Sequence, residues 1–292
     1  MTPAAEIQRS NLAGTWYPAD PEELRAEVTR CLGDSRGEDG ELGAMIVPHA
    51  GYRYSGRAAG AAFAKLTPGR WRRAVVVAPS HYHAFDGAAV FPGTGFATPL
   101  GIVPVDQAGA RMLMESPLFA ADPRPYAREH SLEIELPFLQ VVDPALSIVP
   151  VLVGSHDDAV RLAALGRALG ALDDHETLFV VSSDFTHYGS QFGYLPFPPD
   201  GPDSVAAELR RLDFGAIEPI RRGDAQGFAS YVNATGITVC GRGPITAFLH
   251  FGAERLAGEL LEYYTSLDVT GDYEHSVSYA AIAFRPTRGG GG

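Results

Sequence analysis

The stretch ETLFVVSSDFTHYG (176–189) is the segment that decides the fold class, because a buried-strand pattern ends in it abruptly. The apolar run LFVV is typical of a strand covered on both faces of a sheet. Ser182, Ser183, Asp184 and His187 follow where such a strand would surface. A strand that needed only a turn could end in Gly or Asn. We therefore expect the end of this strand to face a functional cleft.

Two alternating strand–helix–strand patterns surround this segment. The first runs from AMIVPHAGY, a short buried strand ending near Pro48, through the small-residue helix GRAAGAAFAKL (56–66) to a strand at about 74 to 79. The second joins LSIVPVLVG to 176–184 through the helix HDDAVRLAALGRALGAL. Such units form parallel pairs with right-handed crossovers. The pattern predicts a single three-layer α/β domain with a mixed, largely parallel sheet.

The remaining segments fill in this architecture. FPGTGFATPLGIVPVD (91–106) predicts a hairpin or excursion, and SLEIELPFLQVV (131–142) a helix disturbed at Pro137. Four further stretches predict helices: DQAGARMLMES, DSVAAELRRLDFGAIEPIRRG, AQGFASYVNATG, and GRGPITAFLHFGAERL with Pro244 in its first turn. ELLEYYTSLDVTG and HSVSYAAIAFRP are expected to close the chain as an antiparallel edge pair. We expect one domain over residues 1–288 and a disordered Gly tail over 289–292.

Composition excludes several classes of protein. The 292 residues carry a net charge of −12, which argues against nucleic-acid partners and against binding to anionic lipid. The sequence has no apolar run of about 18 residues and no basic-then-apolar leader. Cys31 and Cys240 are the two cysteines, a number that fits free thiols in a reducing compartment. The expected location is the cytoplasm.

Histidine follows three of the predicted strands. His49 follows MIVP, His81 follows VVVAPS and His187 follows FVVSSDFT, while Cys240 precedes a helix in TVCGRGPI. Each residue alone is more often structural, and Asp184 could simply cap a turn. In an α/β sheet, however, strand carboxyl ends share one crevice. We therefore predict a metal or catalytic site at this edge of the sheet, with these three His and one Cys as candidate ligands.

The donor types favour iron, zinc or copper. The helix dipole is expected to lower the pKa of Cys240 and make its thiolate available. Three protein ligands leave an open position, as a catalytic site requires. Asp184 and His187 are predicted to act beside the metal, either as an acid/base pair or by orienting a ligand.

Some weaker candidates lie in the same motifs. Tyr52 or Tyr54 is expected to point into the site, and His130 in REHSLEIELP is either cleft-lining or part of a solvated helix start, like its neighbours Glu129 and Glu133. Arg242 is predicted to line the cleft beside Cys240. His83 is as well placed for solvent as for the site. The other histidines are interpreted as structural: His156, His175, His250 and His275.

Taken together, six motifs resemble the Memo family: GTWYP (14–18), PHAGYRYSG (48–56), PSHYHAFDG (79–87), REHSLEIELPF (128–138), VVSSDFTHYG (180–189) and TVCGRGPI (238–245). The bacterial and archaeal members are similar to protein B of Amme–Memo–radical-SAM systems. The resemblance implies a fold similar to class III extradiol dioxygenases, with AMMECR-like and radical-SAM proteins as partners. It implies metal-site roles for His49, His81 and Cys240, with Asp184 and His187 flanking them and Tyr52 and His130 in motifs around the cleft.

Three functions remain open from the sequence. The leading hypothesis is a mononuclear Fe(II) enzyme that uses O₂ on a small aromatic or phenolic substrate, with Cu or Zn as alternative metals. The dioxygenases use two His and a carboxylate, whereas this chain has the oxidisable Cys240 in the third place. The alternative is a non-catalytic module that binds a phosphotyrosine-type or anionic peptide near Arg242. A hydrolase using Cys240 and His187 ranks third, because it leaves His49 and His81 without a role.

Overall fold

The computed structural model describes residues 6–34, 42–154, 158–252 and 255–287. Residues 35–41, together with His156 and the Gly tail, lie outside the described residues. The strands are β1 (Ile7–Gln8), β2 (Ala44–Val47), β3 (Arg73–Pro79), β4 (Ala88–Val90), β5 (Gly95–Thr98), β6 (Gly101–Pro104), β7 (Phe119–Ala121), β8 (Ser147–Val153), β9 (Thr177–Ser182), β10 (His187–Tyr188), β11 (Leu256–Thr265) and β12 (Ser276–Pro286). The helices are α1 (Pro21–Leu32), α2 (Tyr52–Phe63), α3 (Gln107–Met114), α4 (Leu136–Val142), α5 (Ala159–Leu169), α6 (Pro202–Arg221), α7 (Ala225–Thr235), α8 (Arg242–Gly252) and α9 (Ser266–Thr270).

Within the described ranges, a mixed sheet of nine strands organises the molecule. Its order is β10-β12-β2-β9-β3-β8-β4-β7, and β11 pairs with β12. β2, β9, β3 and β8 are parallel, as the two alternating patterns predicted. The sheet is less parallel than expected, because β12 joins β2 and β4 joins β8 in antiparallel orientation. β9 lies between β2 and β3, so the strands of the first predicted unit are not direct neighbours.

The central strands are buried on both faces, which makes the fold three-layered. Along β9, Leu178 and Val180 pack into one core, while Phe179 and Val181 pack into the other. This alternation follows from the two-residue period of a strand. The first core is covered by α1, α2 and α4, and the second by α3, α5, α6, α7 and α8. The predicted mixed, three-layer α/β class is confirmed.

The middle of the chain forms a small separate sheet. β5 and β6 pair in antiparallel register from Gly95↔Pro104 to Thr98↔Gly101, so the hairpin expected in 91–106 is confirmed. β1 joins β5 in parallel. The helix predicted over 131–142 is shorter than expected. A 3₁₀ turn at Glu133–Glu135 precedes α4, and Pro137 lies in the first turn of α4, where its missing N–H costs no hydrogen bond.

The end of the chain differs from the predicted edge pair. β11 and β12 are antiparallel as expected, but β12 is an inner strand that also pairs with β2 and β10. The segment SLDVT forms α9 instead of continuing β11, because Thr265 and Asp268 make a capping box at its start. Within the described residues, no helix is both long and apolar enough to cross a bilayer.

Two residues of α5 test the inner packing of the second core. Leu165 is 1% exposed and belongs to that core, whereas Val160 on the same helix is 79% exposed. Replacing Leu165 with Ala should lower the free energy of unfolding by about 2–5 kcal/mol, because it removes buried methyl groups and leaves a cavity. Val160→Ala is the matched control and should change it by less than about 0.5 kcal/mol. Denaturant unfolding measures both, and equal effects would contradict the assigned packing.

Candidate metal centre and adjoining cleft

The carboxyl ends of β2, β9 and β3 meet at one edge of the sheet. Val47 of β2 pairs with Ser182 of β9, and Val77 of β3 pairs with Val181. His49, Asp184 and His81 therefore emerge side by side a few residues later. The backbone N–H of His49 donates a hydrogen bond of 2.8 Å to Asp184 Oδ1, which ties two of these strand ends together.

Three imidazoles form the core of the site. His49, His81 and His130 each offer one ligand atom, and these atoms lie within 4.8 Å of one another. The rings of His81 and His130 stack with centroids 4.5 Å apart, and His49 meets His81 edge-on at 5.2 Å. His49 is buried, His130 half-buried and His81 exposed, so the group opens to solvent on one side. His130, left undecided by the sequence, belongs to this group.

Long-range hydrogen bonds bring His130 to the strand ends. The hydroxyl of its neighbour Ser131 donates to the carbonyl of Pro79 at the end of β3, over 2.7 Å. The carbonyl of Ser131 accepts from Ser182 Oγ at the end of β9, over 2.6 Å. His130 is therefore held at the same edge although it follows no strand.

Glu129 orders the rest of this loop around His81. Its carboxylate accepts hydrogen bonds from the backbone N–H of His81 at 2.6 Å and lies 2.9 Å from His81 Nδ1. It also accepts from the backbone N–H groups of His130 and Ser131. A carboxylate on the outer nitrogen of a histidine fixes the ring and raises its basicity as a ligand.

The electrostatics keep His49 and His130 neutral and Glu129 ionised. Burial, reinforced by the neighbouring histidines, lowers the pKa of His49 well below its ordinary value and that of His130 to about 4. Burial would raise the pKa of Glu129, but the hydrogen bond from His81 and the charges of His81 and His130 outweigh it and hold that pKa at about 2. Neutral imidazole is the form that coordinates metals.

The hydrogen bonds of the three rings show which ring nitrogens are available to bind a metal. His49 Nδ1 lies 2.7 Å from Ser182 Oγ, and His81 Nδ1 is taken by Glu129, so Nε2 of each ring is left to coordinate. His130 Nδ1 is buried, and the described part of the chain offers it no hydrogen-bond partner. It lies 3.3 Å from Glu129 Oε1, without hydrogen-bond geometry. A buried polar atom of this kind is expected to have a partner.

Cys240 lies next to His49 but outside the three-histidine group. Its Sγ is 3.1 Å from His49 Nε2 and accepts the backbone N–H of Asp184 at 3.2 Å. The glycine that follows permits this approach, because a Cβ on Gly241 would lie 2.3 Å from Ser183 Cβ. Both cysteines are free thiols, as expected.

The expected lowering of the Cys240 pKa is wrong for this structure. Burial and the nearby Asp184 carboxylate raise the pKa of the thiol well above its ordinary value. The helix that follows begins at Arg242, and the backbone N–H bonds that reach the sulfur do not offset its desolvation.

The flanking pair predicted at Asp184 and His187 lies beside the group. Asp184 is 4% exposed, and its Oδ1 accepts the hydrogen bond from the backbone N–H of His49. His187 Nδ1 faces the carbonyls of Phe185 at 3.0 Å and Thr238 at 3.2 Å. Carbonyls only accept, so Nδ1 carries the hydrogen and His187 Nε2 is free to take a proton.

Two residues predicted to line the cleft face other parts of the molecule. Tyr52 is 4% exposed, packs on Phe138 and donates its hydroxyl to the carbonyl of Ile134. Arg242 lines a separate cavity of about 220 Å³ with residues of α5, α7 and α8, such as Leu162 and Phe228. Neither side chain lines the cleft described next.

A cleft of about 430 Å³ adjoins the histidines. Its walls include Trp16, whose ring packs on His130 at 4.6 Å, and Phe192, whose ring meets His187 at 5.3 Å. The lining residues are Thr15, Trp16, Ala50, Gly51, Tyr54, Gln191, Phe192, Ser266, Thr270, Asp272, His275, Val277 and Tyr279. Sequence reasoning missed most of these, including His275, which had been interpreted as structural. The lining residues that lay in motifs it had marked are Thr15, Trp16, Ala50, Gly51 and Tyr54.

Glu133 fixes the wall that Trp16 provides. Its buried carboxylate accepts hydrogen bonds from Ser10 Oγ, from Tyr17 Oη and from the backbone N–H groups of Asn11 and Leu12. One carboxylate thus anchors the loop that precedes α1 against the 3₁₀ turn before α4.

Comparison with known proteins decides the family. The family model described as Memo-like protein matches residues 8–283. The chain belongs to the Memo family.

Curated Memo relatives come from animals and archaea. A memo-1 homolog of Caenorhabditis elegans is 32% identical over 92% of this chain and 80% of its own length. A MEMO1 family protein of Thermococcus onnurineus is 33% identical, covering 94% of this chain and 98% of its own. Protein MEMO1 of Xenopus laevis is 30% identical, covering 97% and 99%.

One solved structure shares the fold at low identity. It is an uncharacterized protein of Escherichia coli K12, 18% identical, with a TM-score of 0.51 over 83% of this chain and 99% of that one. At this identity the likeness shows the fold alone.

Gly241 offers a test of how the Memo chain seats Cys240. Gly241→Ala should destabilise the protein by about 1–3 kcal/mol, because the new methyl overlaps the Cβ of Ser183. Gly170→Ala is the matched control, since the nearest atom to its added Cβ would be 3.6 Å away and its φ of −58° suits any residue. Thermal unfolding of both variants checks this. Equal melting temperatures would contradict the close approach.

Proposed function

We propose that this Memo protein holds one metal ion with His49, His81 and His130 and uses it, with the adjoining cleft, as an oxidoreductase. The observation that carries the proposal is the grouping of three ligand atoms within 4.8 Å at the strand ends. Cys240 remains a proposed further ligand, because its Sγ lies 3.1 Å from His49 Nε2. Coordination would itself favour the thiolate that burial disfavours.

The donor set narrows the choice of ion. Imidazole suits iron, zinc and copper, and three protein ligands leave positions open for a substrate. We favour Fe(II), because the motifs resemble those of proteins similar to class III extradiol dioxygenases. Bound Fe(II) would supply redox chemistry with O₂ and stabilise negative charge on a substrate oxygen. The site differs from the two-His, one-carboxylate ligand set of many iron enzymes. The nearby Glu129 carboxylate is not a ligand candidate, because it already binds the His81 ring and the backbone N–H of His81.

The cleft suits a small aromatic or phenolic substrate. Trp16, Tyr54, Phe192 and Tyr279 provide flat apolar surface, and Gln191 and Ser266 provide polar groups to orient a ligand. His187 would accept a proton from the substrate at its free Nε2. Asp184 would act by holding the His49 backbone in place.

The alternative, a module that binds an anionic peptide in the same cleft, has less support. Among the described lining residues the cleft contains Asp272 and no Lys or Arg, and Arg242 lines the other cavity. The hydrolase reading also loses support, because the imidazole in contact with Cys240 belongs to His49. Titration with phosphotyrosine tests the binding module directly. Saturable binding that His49→Ala abolishes would favour it.

Metal content is the first test of the proposed site. Protein purified without oxygen and loaded with Fe(II) should hold about one ion per chain, by the single-site geometry above. Alanine at His49, His81 or His130 should remove it, and Cys240→Ser should show whether sulfur contributes. His175→Ala is the control, because His175 is exposed and distant in the fold. Elemental analysis measures the outcome, and an ion retained by all three histidine variants would overturn the site. Zinc or copper in place of iron would correct the choice of metal.

Oxygen uptake tests the proposed chemistry. The Fe(II)-loaded protein should consume O₂ with at least one member of a catechol panel, and His187→Gln should slow turnover by about 10²-fold or more, the usual contribution of a general base. Iron content should stay unchanged in that variant. His175→Gln again serves as control. A loaded protein that consumes no O₂ with any catechol would remove the enzymatic proposal and leave the metal site standing.

A further inference from the structure

The hydroxyl of Ser182 has more close partners than it has hydrogens. Ser182 is fully buried, and its Oγ lies 2.6 Å from the carbonyl oxygen of Ser131, 2.7 Å from His49 Nδ1 and 3.0 Å from Glu135 Oε1. A serine hydroxyl has one hydrogen to donate and two lone pairs that accept. At most one of the three partners can therefore receive the hydrogen, and the other two must bring their own.

The chemistry of Ser131 decides which partner receives it. A backbone carbonyl can only accept, so a contact of 2.6 Å with it requires the Ser182 hydrogen. If that hydrogen pointed to His49 or Glu135, two oxygens without a hydrogen between them would be held together in a buried site. His49 Nδ1 and Glu135 Oε1 are thus left as donors to Ser182 Oγ.

We propose that Glu135 is a neutral carboxylic acid that donates to Ser182, and that this chain of hydrogen bonds fixes His49 in its Nδ1–H tautomer with Nε2 presented to the three-histidine group. The inference that this tautomer prepares a ligand rests on the proposed metal site. The tautomer and the proton on Glu135 follow from the hydrogen-bond count at Ser182 alone.

The surroundings of Glu135 support a neutral acid. Its side chain is fully buried, and its Oε2 makes no hydrogen bond within the described residues. An ionised carboxylate left in that position would be strongly disfavoured. Burial, with a smaller contribution from the Asp184 charge, raises the pKa of Glu135 well above its ordinary value.

Glu129 and Glu135, both buried, then have different roles at the site. Glu129 is ionised and acts on His81, whereas Glu135 is neutral and reaches His49 through one hydroxyl. A carboxylate makes its histidine a stronger ligand, while a serine hydroxyl only orients the ring. Glu135 is therefore a positioning residue, and His49 is the weaker electron donor of the pair.

Two variants separate the neutral donor from a carboxylate. Glu135→Gln keeps a group of nearly the same shape that can donate through its amide, so it should leave the His49 tautomer and the metal affinity unchanged. Glu135→Leu removes the donor and should weaken metal binding by about 10–100-fold, as loss of an orienting partner does. Glu23→Gln, on the exposed part of α1, is the control. If Glu135→Leu fails to fold, Glu135→Gln and the following spectra still decide.

Spectroscopy of the metal-free protein tests the protons directly. At neutral pH, infrared spectra should show a band of a protonated carboxyl group that disappears in Glu135→Gln and stays in Glu23→Gln. Nitrogen-15 NMR of the histidines should show Nδ1–H at His49, assigned with His49→Ala. If Glu135→Gln removed no protonated-carboxyl band from the spectrum, or if His49 showed the Nε2–H tautomer, the proposal would be overturned. If both spectra agree but no metal binds, the proton arrangement stands and the proposed metal function fails.

Discussion

The parallel pairing of β9 between β2 and β3 is the constraint on which the site depends. The register at Val47↔Ser182 and Val77↔Val181 sets where each strand ends. The residues that follow these strands therefore lie close together. A slip of one residue would exchange the two faces of β9 and bury the wrong side chains in each core. The apolar packing on both faces therefore fixes the positions of His49 and Asp184. Hydrophobic packing has no preferred direction, yet here it sets the positions of side chains whose hydrogen bonds are directional.

Glu129 and Glu135 lie close together in the sequence, yet Glu129 is ionised and Glu135 is neutral, because their neighbours differ. Glu129 accepts hydrogen bonds from the His81 ring and from the backbone N–H groups of His81 and His130, and these stabilise the anion. Glu135 meets a hydroxyl and an apolar interior, where the anion has no such support. A neutral Glu135 therefore adds no further buried negative charge beside the neutral imidazoles.

Local sequence signals predicted the strand ends well and the loops poorly. His49, His81 and Asp184 follow strands whose apolar pattern is plain, so their meeting could be anticipated. His130 could not be assigned, because its position is set by hydrogen bonds of its neighbour Ser131 to Pro79 and Ser182, which lie 52 and 51 residues away in sequence. Tyr52 and Tyr54 were not distinguished, although two residues along a helix point to nearly opposite sides, and α2 begins at Tyr52. Trp16, Phe192 and Tyr279 come from distant segments that only the folded chain joins.

The anchoring of residues 10–17 by Glu133 bears on how this protein can be shortened. Trp16 reaches the cleft only because backbone groups of Asn11 and Leu12 are held by that carboxylate, far along the chain. A truncation that begins after Tyr17 would retain the three histidines but would remove Leu12 and Tyr17 from the first core. It would remove one wall of the cleft and strip a buried carboxylate of its donors. Residues 10–17 thus contribute both to the first core and to the wall of the cleft.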